Sequence, residues 1–343
     1  MRTTRKPLGE QVIVITGASS GIGLVTAKQA AERGACVVLA ARNEADLERA
    51  ATAIRVRGGR ALPVVADVAE PEQVEALAGA ARREFGRIDT WVNNAAVSMY
   101  GPATDLLLDD MRRQMEVNFW GTVYGSLTAV RQMGQEGGTL INVGSVLSDR
   151  AVPLQSIYCA SKHATRAFTD SLRMELELEE IPIAVSYIKP GSIDTPFFEK
   201  ARTYLDEEPQ PIPPVYSAEV VARTILHCAE RPIREVTVGG ITAMLGVGQR
   251  VSPRLTDHYL ERHAVGGQKS GKPLAPDRKD NLYAPVEHDG GESGHTWDGR
   301  VLRHSAFTAG RLHPQRAAAM TVGLGLATWL GLRAFRRNGN GTR

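Results

Sequence analysis

The sequence predicts an α/β fold, a doubly wound parallel sheet, on three observations. Seven short apolar runs recur along residues 1–240. Amphipathic stretches separate them, and a glycine-rich turn joins the first run to the first helix. The runs are QVIVIT (11–16), CVVLAA (36–41), ALPVVAD (61–67), IDTWVNNA (88–95), GTLINVGS (138–145), IPIAVSYIKPG (181–191) and REVTVGG (234–240). Such short apolar runs fit strands buried on both faces. Helical spacing of apolar residues marks 24–33, 44–56 and 71–85. A strand followed by an amphipathic helix, repeated, is the βαβ unit, and right-handed crossovers leave few ways to assemble it.

Composition narrows the function classes. Of 343 residues, 43% are hydrophobic and 23% charged, which excludes a disordered, collagen-like or disulfide-scaffold chain. The net charge of +3 gives no reason to expect nucleic-acid binding. It hides an asymmetry, because residues 301–343 carry seven arginines and no acid, so the preceding body is net negative. Cys36, Cys159 and Cys228 are widely spaced and form no CxxC pair, which fits a reducing compartment and no metal site. The N-terminus, MRTTRKPLGE, has no apolar signal core. A cytoplasmic location follows as an expectation.

Three segments depart from the repeat. Residues 200–216 hold four prolines between Pro209 and Pro214, which forbid a helix or central strand; a surface connector and a substrate-covering flap both fit. The catalytic domain is expected to end near residue 250. Residues 251–316, rich in Gly, Pro, Asp, Lys and His over 264–300, read as an extended or disordered linker. Its histidines, His288, His295 and the nearby His304, read as solvated side chains.

Residues 317–332 then run without a charge, and to Phe335 a helix would span about 28 Å against the ~30 Å of a bilayer core. Gly323, Ala327 and Gly331 line up at i, i+4, i+8, so the 317–335 helix can cross a membrane, lie on one, or pack on protein. The arginines beyond it, in the basic tail 336–343, oppose simple spanning from the cytosol.

The turn after the first run reads Thr16-Gly17-Ala18-Ser19-Ser20-Gly21-Ile22-Gly23. Gly17 allows a tight exit from the strand, Gly21 lets backbone approach a pyrophosphate, and Gly23 lets helix and strand pack closely. The helix start offers N–H groups and partial positive charge to phosphate. At the end of the second run stands Ala41-Arg42-Asn43, with no acid to bind a ribose diol. Arg42 suits a 2′-phosphate, so NADP(H) is expected over NAD(H).

Farther on, Ser145 ends the fifth run, and Tyr158 and Lys162 stand four apart on a helical pattern, on one face. A phenol near its ordinary pKa of ~10 is a poor acid–base group, and a fixed ammonium beside it is expected to lower that value. Ser145 can hold a substrate oxygen beside the phenol.

With these residues the chain resembles the short-chain dehydrogenase/reductase family over about residues 10–250. The resemblance is carried by the TGASSGIG turn, Asp67-Val68, Asn93-Asn94-Ala95, Asn118, Ser145, Tyr158-x-x-x-Lys162, and Pro190-Gly191 with Thr195. It implies a single-domain, seven-stranded Rossmann sheet. It also implies that Tyr158 gives a proton to a carbonyl oxygen, and that Lys162 additionally holds the nicotinamide ribose. Asn118 would anchor a relay water.

The cofactor contacts it implies are those of the turn (Gly17, Ser19, Ser20, Gly21, Ile22 and Gly23), with Asp67 and Val68 at the adenine. Asn94 and Ala95 would line the cleft; Pro190, Gly191, Ile193 and Thr195 would border the nicotinamide. Pairing into a homodimer or homotetramer through long helices at about 109–134 and 155–180 is implied too.

The expected function is NADP(H)-dependent interconversion of a ketone or aldehyde with an alcohol. Met99, Tyr100, Val152, Pro153, Leu154, Phe197, Phe198 and Tyr204, near the expected substrate side, suggest an apolar substrate of small to medium size. The alternatives are a dinucleotide-binding regulator or scaffold, or a membrane-organising protein built around the tail.

Overall fold

The computed structural model describes residues 6–240, 248–249 and 251–315. The expected apolar helix at 317–335 and the basic tail lie outside the described residues. Among the described residues no helix is long and apolar enough to cross a membrane.

Seven parallel strands form the central sheet: β1 (Val12–Thr16), β2 (Cys36–Ala41), β3 (Arg60–Val65), β4 (Thr90–Asn93), β5 (Gly138–Val143), β6 (Ile183–Pro190) and β7 (Glu235–Val238). Their order across the sheet is β7-β6-β5-β4-β1-β2-β3. The direction of winding reverses between β1 and β4, the topological switch point outside which ligands bind.

Strand β1 shows why the apolar runs do not alternate. Ile13 and Ile15 enter one core cluster and Val12 and Val14 the other, on opposite faces of the sheet. The first cluster joins α1 (Gly21–Glu32), α2 (Glu44–Val56) and α7 (Ala218–Glu230) to the sheet. The second joins α3 (Pro71–Phe85), α5 (Gly121–Met133) and α6 (Ser156–Leu178).

Helix ends follow local chemistry. Asn43 caps α2 by accepting from the Asp46 N–H at 3.0 Å. Pro71 opens α3 and Gly86, in the left-handed region, closes it. The helices at 44–56 and 71–85 stand where the apolar spacing puts them.

The expected helix at 109–134 is broken: α4 (Leu108–Met115) runs into a π-helical turn, Glu116–Trp120, and then α5. Asn118 lies within that turn. Widened turns of this kind re-aim backbone groups and occur often at functional sites.

Beyond β7 the chain is more organised than an extended or disordered linker. Helix α8 (Pro253–Gly267) is followed by a strand, Lys269–Pro273, antiparallel to Glu207–Pro209. Helix α8 buries only Leu260 and Ala264, one helical turn apart, which is too narrow a stripe to show in the sequence. Residues 274–300 are irregular, as their composition suggests, yet they lie on the body. Leu282 is fully buried among Val68, Ala69, Val97 and Val117. Burying one leucine stabilises by about 1.5–3 kcal/mol. Val301–Leu302 then pairs with Val215–Ser217, and a last described helix, α9 (Ala306–Leu312), packs against β7.

Candidate active site

One continuous cavity of about 360 Å³ opens along the C-terminal ends of the strands. It runs from the glycine-rich turn and Arg42, past Asp67 and Asn94, to Ser145, Tyr158 and Lys162. Of the catalytic and cofactor-binding residues expected in the site, Gly23 and Asn118 do not line it; all the others do.

The turn has the shape a phosphate cradle requires. Gly17 and Gly21 have φ of 66° and 53°, which L side chains rarely adopt. A Cβ on Gly17 would stand 2.8 Å from the Ala95 Cα, and one on Gly21 3.0 Å from the Thr195 side chain. Gly23 packs against the Gly17 carbonyl, which explains its absence from the cavity wall. Asn94 locks this corner: its Nδ2 donates to the Thr16 and Gly17 carbonyls at 2.9 and 3.2 Å. The Thr16 hydroxyl accepts from the Asn94 and Ala95 N–H groups.

Helix α1 does not offer all its N–H groups to a ligand, however. The Gly21 N–H donates to the Gly291 carbonyl at 2.9 Å. The Lys200 ammonium sits beside the turn, 2.8 Å from the Ser20 hydroxyl, and is paired with Asp289 at 3.2 Å. Burial pushes the Lys200 pKa down, and the Asp289 carboxylate opposes that shift.

At the end of β2, Arg42 stands where a 2′-phosphate reader belongs, but it already has partners. It donates to the Asn281, Leu282 and Tyr283 carbonyls, the last at 3.1 Å, and lies 3.8 Å from the Asp67 carboxylate. Asp67 is in turn tied to Arg113 and accepts from the Ala69 N–H at 3.0 Å.

At the other end, Ser145 leaves β5 into a one-turn helix, and its hydroxyl shares the cavity wall with the Tyr158 phenol and favours the phenolate. Ser145 also accepts from the Leu147 N–H at 3.1 Å, which fixes the hydroxyl. Lys162, one turn along α6, is buried; its ammonium donates to the Val143 carbonyl at 3.1 Å and lies 5.7 Å from the Tyr158 ring centre. The Tyr187 hydroxyl donates to the Lys162 carbonyl at 3.1 Å, bracing this turn of α6 from below.

The electrostatics differ from the expectation of an ammonium-lowered phenol. Burial pushes the Tyr158 phenol up, and the Ser145 hydroxyl pulls against that shift. Burial pushes Lys162 down to about 8. Desolvation therefore outweighs mutual attraction, and Tyr158 holds its proton at neutral pH.

Asn118 stands outside the cavity wall and clamps the backbone of one residue. Its Oδ1 accepts from the Val97 N–H and its Nδ2 donates to the Val97 carbonyl, both at 2.9 Å. Its amide also reaches the Ser161 hydroxyl at 3.2 Å, tying the π-helical turn to α6.

On the apolar side, Tyr100, Val152, Phe197 and Phe198 line the cavity as expected, while Met99, Pro153, Leu154 and Tyr204 do not. The Tyr204 hydroxyl goes instead to Asp110. The proline-rich segment contributes Gln210, Ile212, Pro213 and Pro214 to the wall. Sequence reasoning missed Lys200, the α8 residues Leu260 and His263, and Asn281, Pro285 and Asp289 from the irregular stretch. None belongs to a spaced motif. Cys159 is buried packing, and His163 turns its Nδ1 to the Cys159 carbonyl at 2.8 Å.

Comparison with known proteins agrees with this geometry. The family model described as short chain dehydrogenase matches residues 11–206. The oxidoreductase YxnA of Bacillus subtilis is 44% identical over 324 residues, 93% of this chain and 90% of its own. A Sesamum indicum protein named 11-beta-hydroxysteroid dehydrogenase A is 35% identical over 240 residues, 66% of this chain and 68% of its own. Among solved structures, a short-chain type dehydrogenase/reductase from Mycobacterium marinum is 27% identical and superposes with a TM-score of 0.59 over 68% of this chain and 95% of its own. The chain belongs to the short-chain dehydrogenase/reductase family of oxidoreductases.

Proposed function

We propose that the protein is an NADP(H)-dependent oxidoreductase that interconverts an apolar ketone or aldehyde with its alcohol, with Tyr158 as the proton donor and acceptor. The observation that carries this reading is the convergence of Ser145, Tyr158 and Lys162 on one end of a cavity whose other end is Arg42. The family binds nicotinamide dinucleotides. The cradle at Gly17–Gly21, which side chains would fill, fits the phosphates of such a group. When bound, the dinucleotide supplies or accepts the hydride.

The remaining chemistry belongs to the chain. Ser145 holds the substrate oxygen next to the phenol. Tyr158, kept protonated by burial, gives its proton to that oxygen during reduction and takes it back during oxidation. Lys162 stabilises the phenolate that reduction leaves behind and binds ribose hydroxyls. Asn118 holds the Val97 peptide and α6 in register. Arg42, at the end of β2 with no acid on that strand end, favours a 2′-phosphate once it exchanges carbonyl partners for it.

Support for an apolar substrate comes from the walls beyond Tyr158. Val152, Leu260 and Ala264 cluster there with Ile212, and Phe197 meets the Tyr158 ring edge-on at 5.9 Å. The Sesamum indicum relative, named for a hydroxysteroid, is compatible with such a chamber. Self-association through α5 and α6 is part of the same proposal, because Trp120 in the π-helical turn beside α5, and Met174 and Leu178 on α6, are exposed. The test is NADPH oxidation against a panel of apolar ketones and aldehydes. Turnover that depends on Tyr158 supports the reading; dinucleotide binding without turnover on any of them rejects it.

A further inference from the structure

The irregular stretch after α8 does something its composition does not announce. It runs along the cavity from Arg42 to the glycine-rich turn, and Asn281, Pro285 and Asp289 form part of the wall. The segment is held along its whole length. At the adenosine end, Arg42 gathers the carbonyls of residues 281–283, and Asn43 Nδ2 donates to the Val286 carbonyl at 2.8 Å. The Asp289 N–H then donates to Asp46, the Gly291 carbonyl takes the Gly21 N–H, and Glu292 pairs with Lys28 at 2.7 Å. Two glycines make the fit possible. A Cβ on Gly290, where φ is 79°, would stand 2.7 Å from Pro196, and a Cβ on Gly294 would stand 2.6 Å from the Thr195 carbonyl.

Lys200 adds a second observation. Three residues that line the cavity bear a lysine or arginine side chain: Arg42 at the adenosine end, Lys162 at the reactive end, and Lys200 between them, against Ser20. Its carboxylate partner, Asp289, comes from the same segment. A cation halfway along the cavity and beside the phosphate turn is where a pyrophosphate needs its counter-charge.

We propose that residues 281–294 are a latch over the dinucleotide site, so that cofactor leaves only when they lift, and that Lys200 exchanges Asp289 for the pyrophosphate when the site fills. The proposal rests on the dinucleotide-binding reading above and deepens it. The latch is part of the cofactor site, although Gly291 lies 270 residues from Gly21 in the turn it covers.

Full-length protein tests this by two measurements. Amide hydrogen exchange over 281–294 is followed with and without NADP+, and NADPH release is followed by stopped-flow fluorescence after a chase with excess NADP+. The wild type is expected to show exchange in 281–294 changed at least tenfold by NADP+, because Arg42 and Lys200 trade their contacts with the segment for the cofactor. Gly290→Ala, which forces the segment off Pro196 without altering a cavity-lining residue, is expected to release NADPH at least tenfold faster. Lys200→Met is expected to weaken NADPH and NADH by a similar factor, about tenfold or more, because both carry the pyrophosphate. The latch is overturned if NADP+ leaves exchange in 281–294 unchanged, or if a folded Gly290→Ala protein releases NADPH at the wild-type rate. Should that variant not fold, the wild-type exchange result decides alone. Wild-type protein that binds neither dinucleotide overturns the functional reading itself, whereas normal binding with an indifferent segment overturns only the latch.

Discussion

The Lys162 ammonium lies 5.7 Å from the centre of the Tyr158 ring and spends its hydrogen bond on the Val143 carbonyl, 3.1 Å away. Both groups are buried, and burial moves them in opposite directions, the phenol up and the ammonium down to about 8. The pair therefore rests as phenol and ammonium at neutral pH, which suits giving a proton away.

This resting state sets a pH profile. Carbonyl reduction should be level through neutrality and fall as pH rises past about 8, where Lys162 loses the charge that stabilises the phenolate. Stability should move the other way. The unfolded chain keeps its lysine protonated up to about 10.5, so between about 8 and 10.5 it binds the extra proton, and this group's penalty on folding shrinks as pH rises. Initial rates and chemical denaturation measured on the same buffer series check both signs.

Tyr158→Phe keeps the ring and its edge contact with Phe197 but removes the proton. Reduction should slow by roughly 10²–10⁴-fold, the usual range for a lost general acid. NADPH affinity should stay within about twofold of wild type, which fluorescence titration measures independently of turnover.

Arg42→Asp should reverse the choice of nucleotide. A charge-assisted pair with phosphate is worth roughly 1.5–3 kcal/mol, so NADPH should bind some ten- to hundredfold more weakly while NADH improves. An unchanged ratio of the two dissociation constants would remove Arg42 from the specificity argument.

Beneath the reactive end lies a charge knot around the buried Lys189, its other members partly exposed. Lys189 donates to Asp149 at 2.6 Å and to Glu235 at 2.7 Å, and Arg166 joins both carboxylates. Lys189→Met leaves two partly exposed carboxylates sharing one arginine and should cost about 1–3 kcal/mol in urea unfolding. Asp149 follows directly on the short turn from Ser145, so reduction should also lose rate through a misplaced serine, with dinucleotide affinity retained.

Trp120 is exposed in the π-helical turn, stacked on Tyr124 with ring centres 6.0 Å apart. If α5 and α6 pair with a second copy, Trp120→Asp should convert the assembly to monomers by light scattering. A mass that does not change would assign this face to solvent.

What could be read from the sequence and what could not divide along a physical line. The strands and the helices at Glu44–Val56 and Pro71–Phe85 advertise themselves because their apolar side chains must face a core at a fixed period. Tyr158, Lys162 and the glycine-rich turn are legible because their chemistry demands a spacing. The turn Glu116–Trp120 is not legible, since a widened helical turn leaves the apolar pattern almost unchanged. Residues 281–294 are the plainest case. They bind largely through main-chain carbonyls and the lack of a side chain at Gly290 and Gly294, with isolated contacts at Leu282, Asp289 and Glu292, and none of these leaves a pattern of residue types. The same composition that withholds a core of their own lets them lie flat on another. The upward shift of Tyr158 was hidden for a different reason: sequence spacing reports a neighbour's charge but not the depth of burial.

The groove is completed by parts that a ribosome makes at widely separated times. Asn43 and Val286 are 243 positions apart, yet they are hydrogen-bonded beside the site. A nascent chain would expose a finished nucleotide turn long before anything could cover it. The nucleotide turn is thus made well before the residues that lie against it, and it stands uncovered until 281–294 emerge.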